Sequence, residues 1–98
     1  MSAGHCDRRP VLPRDRSELL ERIRRIEGQV RGIGRMIEED RYCVDVLVQI
    51  AAARSALDNL GMLVLEGHVK GCVAQALREG QGDEAVRELL EVVRKFLR

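Results

Sequence analysis

Between Tyr42 and Arg78 the chain carries no proline, and its apolar residues recur at helical spacing rather than in the alternation of a strand. Leu47, Ile50, Ala51, Leu57, Leu60, Val64, Leu65, Val69, Val73 and Leu77 supply those positions. The pattern predicts one helix of about 55 Å at 1.5 Å rise per residue. A compact domain of about 100 residues has a radius of gyration near 13 Å, so a chain of this size cannot cover such a helix alone. The surplus apolar length calls for a partner, and self-association into a helical bundle is the simplest supply.

The flanking segments are read around that helix. Residues 1–14, with Gly4, Pro10 and Pro13 and no apolar period, read as a flexible N-terminal tail. Residues 15–98 read as one helical domain. A first helix is predicted to start near Asp15 or Ser17, where Asp15 and Glu18 have capping-box spacing. Its stripe is Leu19, Ile23, Ile26, Val30, Ile33 and Ile37, at alternating steps of four and three. Gly28, Gly32 and Gly34 interrupt it at about 1 kcal/mol each against alanine, which suggests close approach of another helix. Glu38 to Arg41 form a turn, with Asp40 placed to cap the second helix. Gly80-Gln81-Gly82 end that helix, and Asp83 is placed to cap a third with Val86, Leu89, Val93, Phe96 and Leu97 on one face. The fold class is all-α: a three-helix protomer with one very long central helix. Tyr42 and Phe96 are the only aromatic residues, so its core is aliphatic.

Chemistry concentrates in two places. His68 and Cys72 are four residues apart, which on a helix puts their Cβ atoms about 5–6 Å apart on one face. Cys43 falls at the start of the same helix, where free N–H groups and the dipole favour a thiolate. An uninterrupted helix holds Cys43 about 37 Å from His68. Either it breaks near Gly61 or Gly67, or Cys43 meets His68 and Cys72 of another chain; the helix length favours the second. Taken singly, each of the three reads more readily as a core residue. Together, two thiols and one imidazole suit Cu(I), whereas Zn²⁺ normally takes a fourth ligand. His5 and Cys6 in the tail are possible extra ligands.

The distribution of charge permits a polyanion partner. Residues 1–35 hold nine arginines against five acidic residues, and the remainder holds eight basic against eleven acidic. Arg24, Arg31 and Arg35 lie opposite the first helix's apolar stripe, with Arg22 and Arg25 on one flank. Near-absence of aromatics argues against single-stranded nucleic acid, which is bound by stacking; arginine faces paired by symmetry suit duplex phosphates. A plain solvated face is the simpler alternative. No HExxH, CxxC, Walker or GxSxG motif occurs, and nothing pairs a nucleophile with a base, so an enzyme is not expected. Three cysteines and no signal or membrane-length apolar run point to a cytoplasmic protein with reduced thiols.

Four segments carry a family resemblance: Arg25 to Ile33 (RIEGQVRGI), Met36 to Cys43 (MIEEDRYC), Asp45-Val46-Leu47 with Gln49-Ile50, and Leu65 to His68 (LEGH) with Cys72. Over residues 17–97 the chain resembles the copper-sensitive operon repressors, bacterial metal- and thiol-responsive transcription regulators. The resemblance implies an antiparallel four-helix-bundle dimer and a disc-shaped dimer-of-dimers homotetramer. It also implies a metal site between protomers, with Cys43 from one chain and His68 and Cys72 from the other. Cys-His-Cys matches the Cu(I) branch, and His68 speaks against the persulfide-sensing branch. His5 leaves open a Ni(II) or Zn(II) sensor that recruits an N-terminal fourth ligand. Tyr42 and Glu88 match an outer pair implicated in passing the metal state to the DNA surface. Arg22 matches a first-helix position linked to operator binding, with Arg24, Arg25, Arg31 and Arg35 as further candidates. The implied function is a copper(I)-responsive repressor of copper export or storage genes. Its apo form binds double-stranded operator DNA, and Cu(I) causes release. A copper-buffering protein without DNA binding is the alternative from another class.

Overall fold

The computed structural model describes residues 13–96, with side chains from residue 16 onward. Every secondary-structure element among them is helical: α1 Pro13–Glu38, α2 Cys43–His68, a π-helical turn Val69–Val73, α3 Ala74–Arg78 and α4 Gly82–Phe96. Counting α2, the π turn and α3 as one rod, this is the expected three-helix chain with a very long middle member. No helix among the described residues is long and apolar enough to cross a membrane.

Residues 13–64 form a helical hairpin. α1 starts at Pro13, ahead of the predicted Asp15, because proline's fixed φ suits a first helical turn and its missing N–H costs nothing there. Asp15 is therefore inside the helix rather than capping it. α1 ends in a Schellman motif: the Arg41 N–H donates to the Met36 carbonyl at 2.9 Å and the Asp40 N–H to the Ile37 carbonyl at 3.1 Å. Asp40 takes the left-handed position of that motif, with φ 54°. It thus closes α1 instead of capping α2. The residue that opens α2 is Tyr42, whose carbonyl accepts from the Val46 N–H at 3.2 Å.

Inside the hairpin Leu19, Ile26 and Ala53 are buried. The rest of the predicted stripe is less covered, and Val30 and Ile37 stay 53% and 60% exposed. An apolar groove remains open between the helices, lined by Ile23, Ile26 and Val30 of α1 and Leu57 of α2. Among the described residues the glycines of α1 do not mark a close helix contact. A Cβ on Gly28 or Gly34 would meet nothing within 4 Å.

Residues 65–96 pack around a core of Val73, Ala76 and Ala85, with Leu89 against it. A second Schellman motif ends α3: Gly80, at φ 78°, donates its N–H to the Leu77 carbonyl and Gln81 to the Ala76 carbonyl. Gln81, not Asp83, holds the cap position of α4, since its carbonyl accepts from the Ala85 N–H at 3.3 Å. Asp83 and Glu84 fall in the first turn of α4 and Arg94 and Lys95 in its last, both complementary to the helix dipole. Ala76 is fully buried and Ala85 almost so, which leaves little room for a larger side chain at either position. Ala76→Leu is expected to destabilise by about 1–3 kcal/mol through overpacking. The denaturant midpoint should fall with little change in slope.

Candidate metal centre

The three candidate ligands sit on one helical rod. Cys43 is the first residue of α2 and His68 the last. α2 runs unbroken through Gly61 and Gly67, so the breaks considered there do not occur. Cys43 is exposed and its thiol is free. His68 is half-buried. Cys72 lies in the π turn and is 6% exposed. Among the described residues no three His, Cys, Asp or Glu side chains converge into a metal-holding group.

Cys72 departs from the expectation of reduced thiols. It is disulfide-bonded. Metal ligation at Cys72 requires that the bridge first be reduced, because the thiolate is the ligand. His5 and Cys6, the possible extra ligands, also lie outside the described residues.

The π turn was not foreseen in the sequence. It places an i→i−5 hydrogen bond beside Cys72, from the Ala74 N–H to the Val69 carbonyl. Lys70, within this turn, reaches back to Glu66 in α2 with a 2.8 Å ion pair. The Lys70 hydrogen bond, and then its charge, hold the Glu66 carboxyl below the usual carboxylate range. Both groups are exposed, and their i, i+4 spacing was legible in the sequence. π turns inside α-helices recur at functional sites, and this one holds a candidate ligand. Tyr42 is 67% exposed at the mouth of α2, and Glu88 lies on the outer face of α4.

The five candidate DNA-contact arginines of α1 divide into two sets. Arg22 and Arg25 pair with Glu18 and Glu21 at 3.4 and 3.9 Å. Arg24, Arg31 and Arg35 are exposed and carry no ion pair among the described residues. Arg22 is the most covered of the five, and its buried Nε has no hydrogen-bond partner among the described residues.

A family model described as metal-sensitive transcriptional repressor matches residues 15–95. The chain belongs to this family. Members are transcriptional repressors rather than enzymes, in keeping with the absence of catalytic motifs. The copper-sensing transcriptional repressor CsoR of Bacillus subtilis (strain 168) is 49% identical over 83 residues, covering 85% of this chain and 82% of the relative. Among solved structures, the copper-sensing repressor CsoR with Cu(I) from Geobacillus thermodenitrificans NG80-2 is 43% identical. It covers 100% of both chains with a TM-score of 0.88. The nickel-responsive transcriptional regulator InrS is 40% identical over 82% of this chain and 90% of its own, with a TM-score of 0.74. The all-helical protomer expected from the sequence is thus the protomer of this family.

Proposed function

We propose that the protein is a copper(I)-responsive transcriptional repressor of copper export or storage genes. The metal-free form holds operator DNA in the cytoplasm, and Cu(I) binding releases it. The observation that carries this reading is the donor set: two sulfurs and one imidazole, at Cys43, His68 and Cys72. Once Cys72 is reduced these residues fit Cu(I), which accepts few and soft ligands. Because Cys43 and His68 stand at opposite ends of one unbroken helix, a complete set takes Cys43 from one chain and His68 with Cys72 from another. A homotetramer built from antiparallel dimers supplies that pairing and covers the apolar surface that one chain leaves open. Tyr42 and Glu88 carry the metal state outward, and Arg22, with Arg24, Arg25, Arg31 and Arg35, contacts the duplex. Linkage then requires that DNA weaken Cu(I) binding by the factor with which Cu(I) weakens DNA binding.

Similarity to a nickel-responsive regulator favours a second reading, in which an N-terminal residue such as His5 completes a Ni(II) or Zn(II) site. Both are tested by titrating Cu(I), Ni(II) and Zn(II), under reductant, into the protein bound to a fluorescent duplex from its own promoter. Cu(I) is expected to release the duplex near one ion per chain, and the other two ions to leave it bound. Release by Ni(II) or Zn(II) alone would overturn the copper assignment. Tight Cu(I) binding without any duplex binding would make the protein a copper buffer instead.

A further inference from the structure

The turn joining α1 to α2 holds a cleft that the metal reading does not use. Gln29, Gly32 and Arg35 of α1, Glu39 and Arg41 of the turn, and Gln49 of α2 surround an open space of about 310 Å³. Its polar lining is mostly donor, beside the apolar side chains of Ile33 and Met36. Two guanidiniums and two carboxamides bring many N–H donors, and Glu39 is the single carboxylate in the lining. Glu39 stands 3.9 Å from Arg41 with both side chains more than half exposed. Such a pair contributes little in water and exchanges readily. The side chains of Gln29, Arg35 and Gln49 make no hydrogen bond or ion pair among the described residues. Arg35 folds back over Gly32, where a Cβ would lie 3.9 Å from the guanidinium. Arg41 projects from backbone fixed by the Schellman bond to Met36. The donors are therefore set on ordered backbone, and those of Gln29, Arg35 and Gln49 have no acceptor among the described residues.

We infer that this cleft receives a backbone phosphodiester of the operator duplex. Arg35 and Arg41 supply charge, and Gln29 and Gln49 supply further donors. A phosphate offers acceptors only, which suits the two guanidiniums and the two carboxamide NH2 groups of the lining, and arginine and glutamine side chains are among the common phosphate contacts of DNA-binding proteins. The inference rests on the reading of the protein as a duplex-binding repressor and adds Gln29, Arg41 and Gln49 to its contact surface. Inorganic phosphate has the same chemistry, so the test must separate the two.

The test uses the metal-free, reduced full chain and a fluorescent duplex from its own promoter, followed by anisotropy across a salt series. The Arg35→Gln/Arg41→Gln variant is expected to bind at least about tenfold more weakly at low salt and to flatten the slope of log K against log salt by about one unit per lost phosphate contact. The loss should be equal on an unrelated duplex, because phosphate contacts carry no sequence information. Arg41→Lys should restore most of the slope, and circular dichroism should show an intact helical fold in each variant. Wild-type affinity and slope in the double variant, with binding weakened by Arg22→Ala, would overturn the cleft and leave the repressor reading standing. No duplex binding by the wild type at any salt would overturn both. Inorganic phosphate that saturates shifts of the Gln29 and Gln49 amide protons, with the double variant's salt slope unchanged, would assign the cleft to a free anion and overturn the inference.

Discussion

Replacing Cys43 by alanine is expected to leave a protein that still represses but that Cu(I) no longer releases. The substitution falls at an exposed helix start, where truncation removes little packing, so the fold and the metal-free DNA-binding form should survive. What is lost is one of only two thiolates, and with it the high-affinity site. His68→Ala should behave differently. Two thiolates can still hold Cu(I) as a linear pair, so copper should bind while release of DNA becomes poor. X-ray absorption should report two sulfurs and one nitrogen in the wild type and lose the nitrogen in His68→Ala. Proton release should accompany binding, because both cysteines coordinate as thiolates. Mixing Cys43→Ala chains with Cys72→Ala chains should restore one site per mixed pair, since each chain lacks a different ligand. Mixtures that bind no copper would refute a site shared between chains.

Leu57→Glu is expected to dismantle the assembly. Leu57 is 51% exposed and lines the open groove beside Ile23 and Val30. Burying a leucine contributes about 1.5–3 kcal/mol, and a carboxylate in its place also brings a desolvation cost. With a factor of ten for each 1.4 kcal/mol, association should weaken by about tenfold or more for each interface the residue enters. Sedimentation at micromolar concentration should show a tetramer for the wild type and smaller or unfolded species for Leu57→Glu. A wild type that sediments as a compact folded monomer would sink both the assembly and the shared site.

The fold was legible wherever apolar spacing is a local property. The stripe on α1 and the proline-free run after Tyr42 each located a helix, and the glycines at 80 and 82 located the break before α4. Element ends were read less well, because caps depend on backbone conformation that residue type only biases. Asp40 and Asp83 both resemble caps in sequence. The first instead takes the left-handed position that ends α1, and the second lies inside α4. Cys43, His68 and Cys72 were legible as a set of donors, but the disulfide at Cys72 was not, since cysteine count fixes neither pairing nor redox state. The cleft at the α1–α2 turn was invisible for a different reason. Gln29 and Gln49 lie on separate helices and only the hairpin brings them to one opening.

The π turn also acts as a phase slip in the pattern of the rod. Adding one residue to a single turn rotates every later side chain by about 100° relative to a regular α-helix. A wheel drawn through residues 65–78 as plain α-helix places Val69, Val73 and Leu77 on one inward line. Of that line Val73 is buried, while Val69 and Leu77 stay 38% and 60% exposed; Cys72 and Ala76 are buried beside Val73. In the language of alignment, Val69 to Val73 behave as a one-residue insertion. Deleting Gly71, which a Cβ would not crowd, would bring the later residues back into the phase of the earlier ones. Spacing rules applied across this point, including those for paired ligands, should therefore count residues from each side of the slip separately.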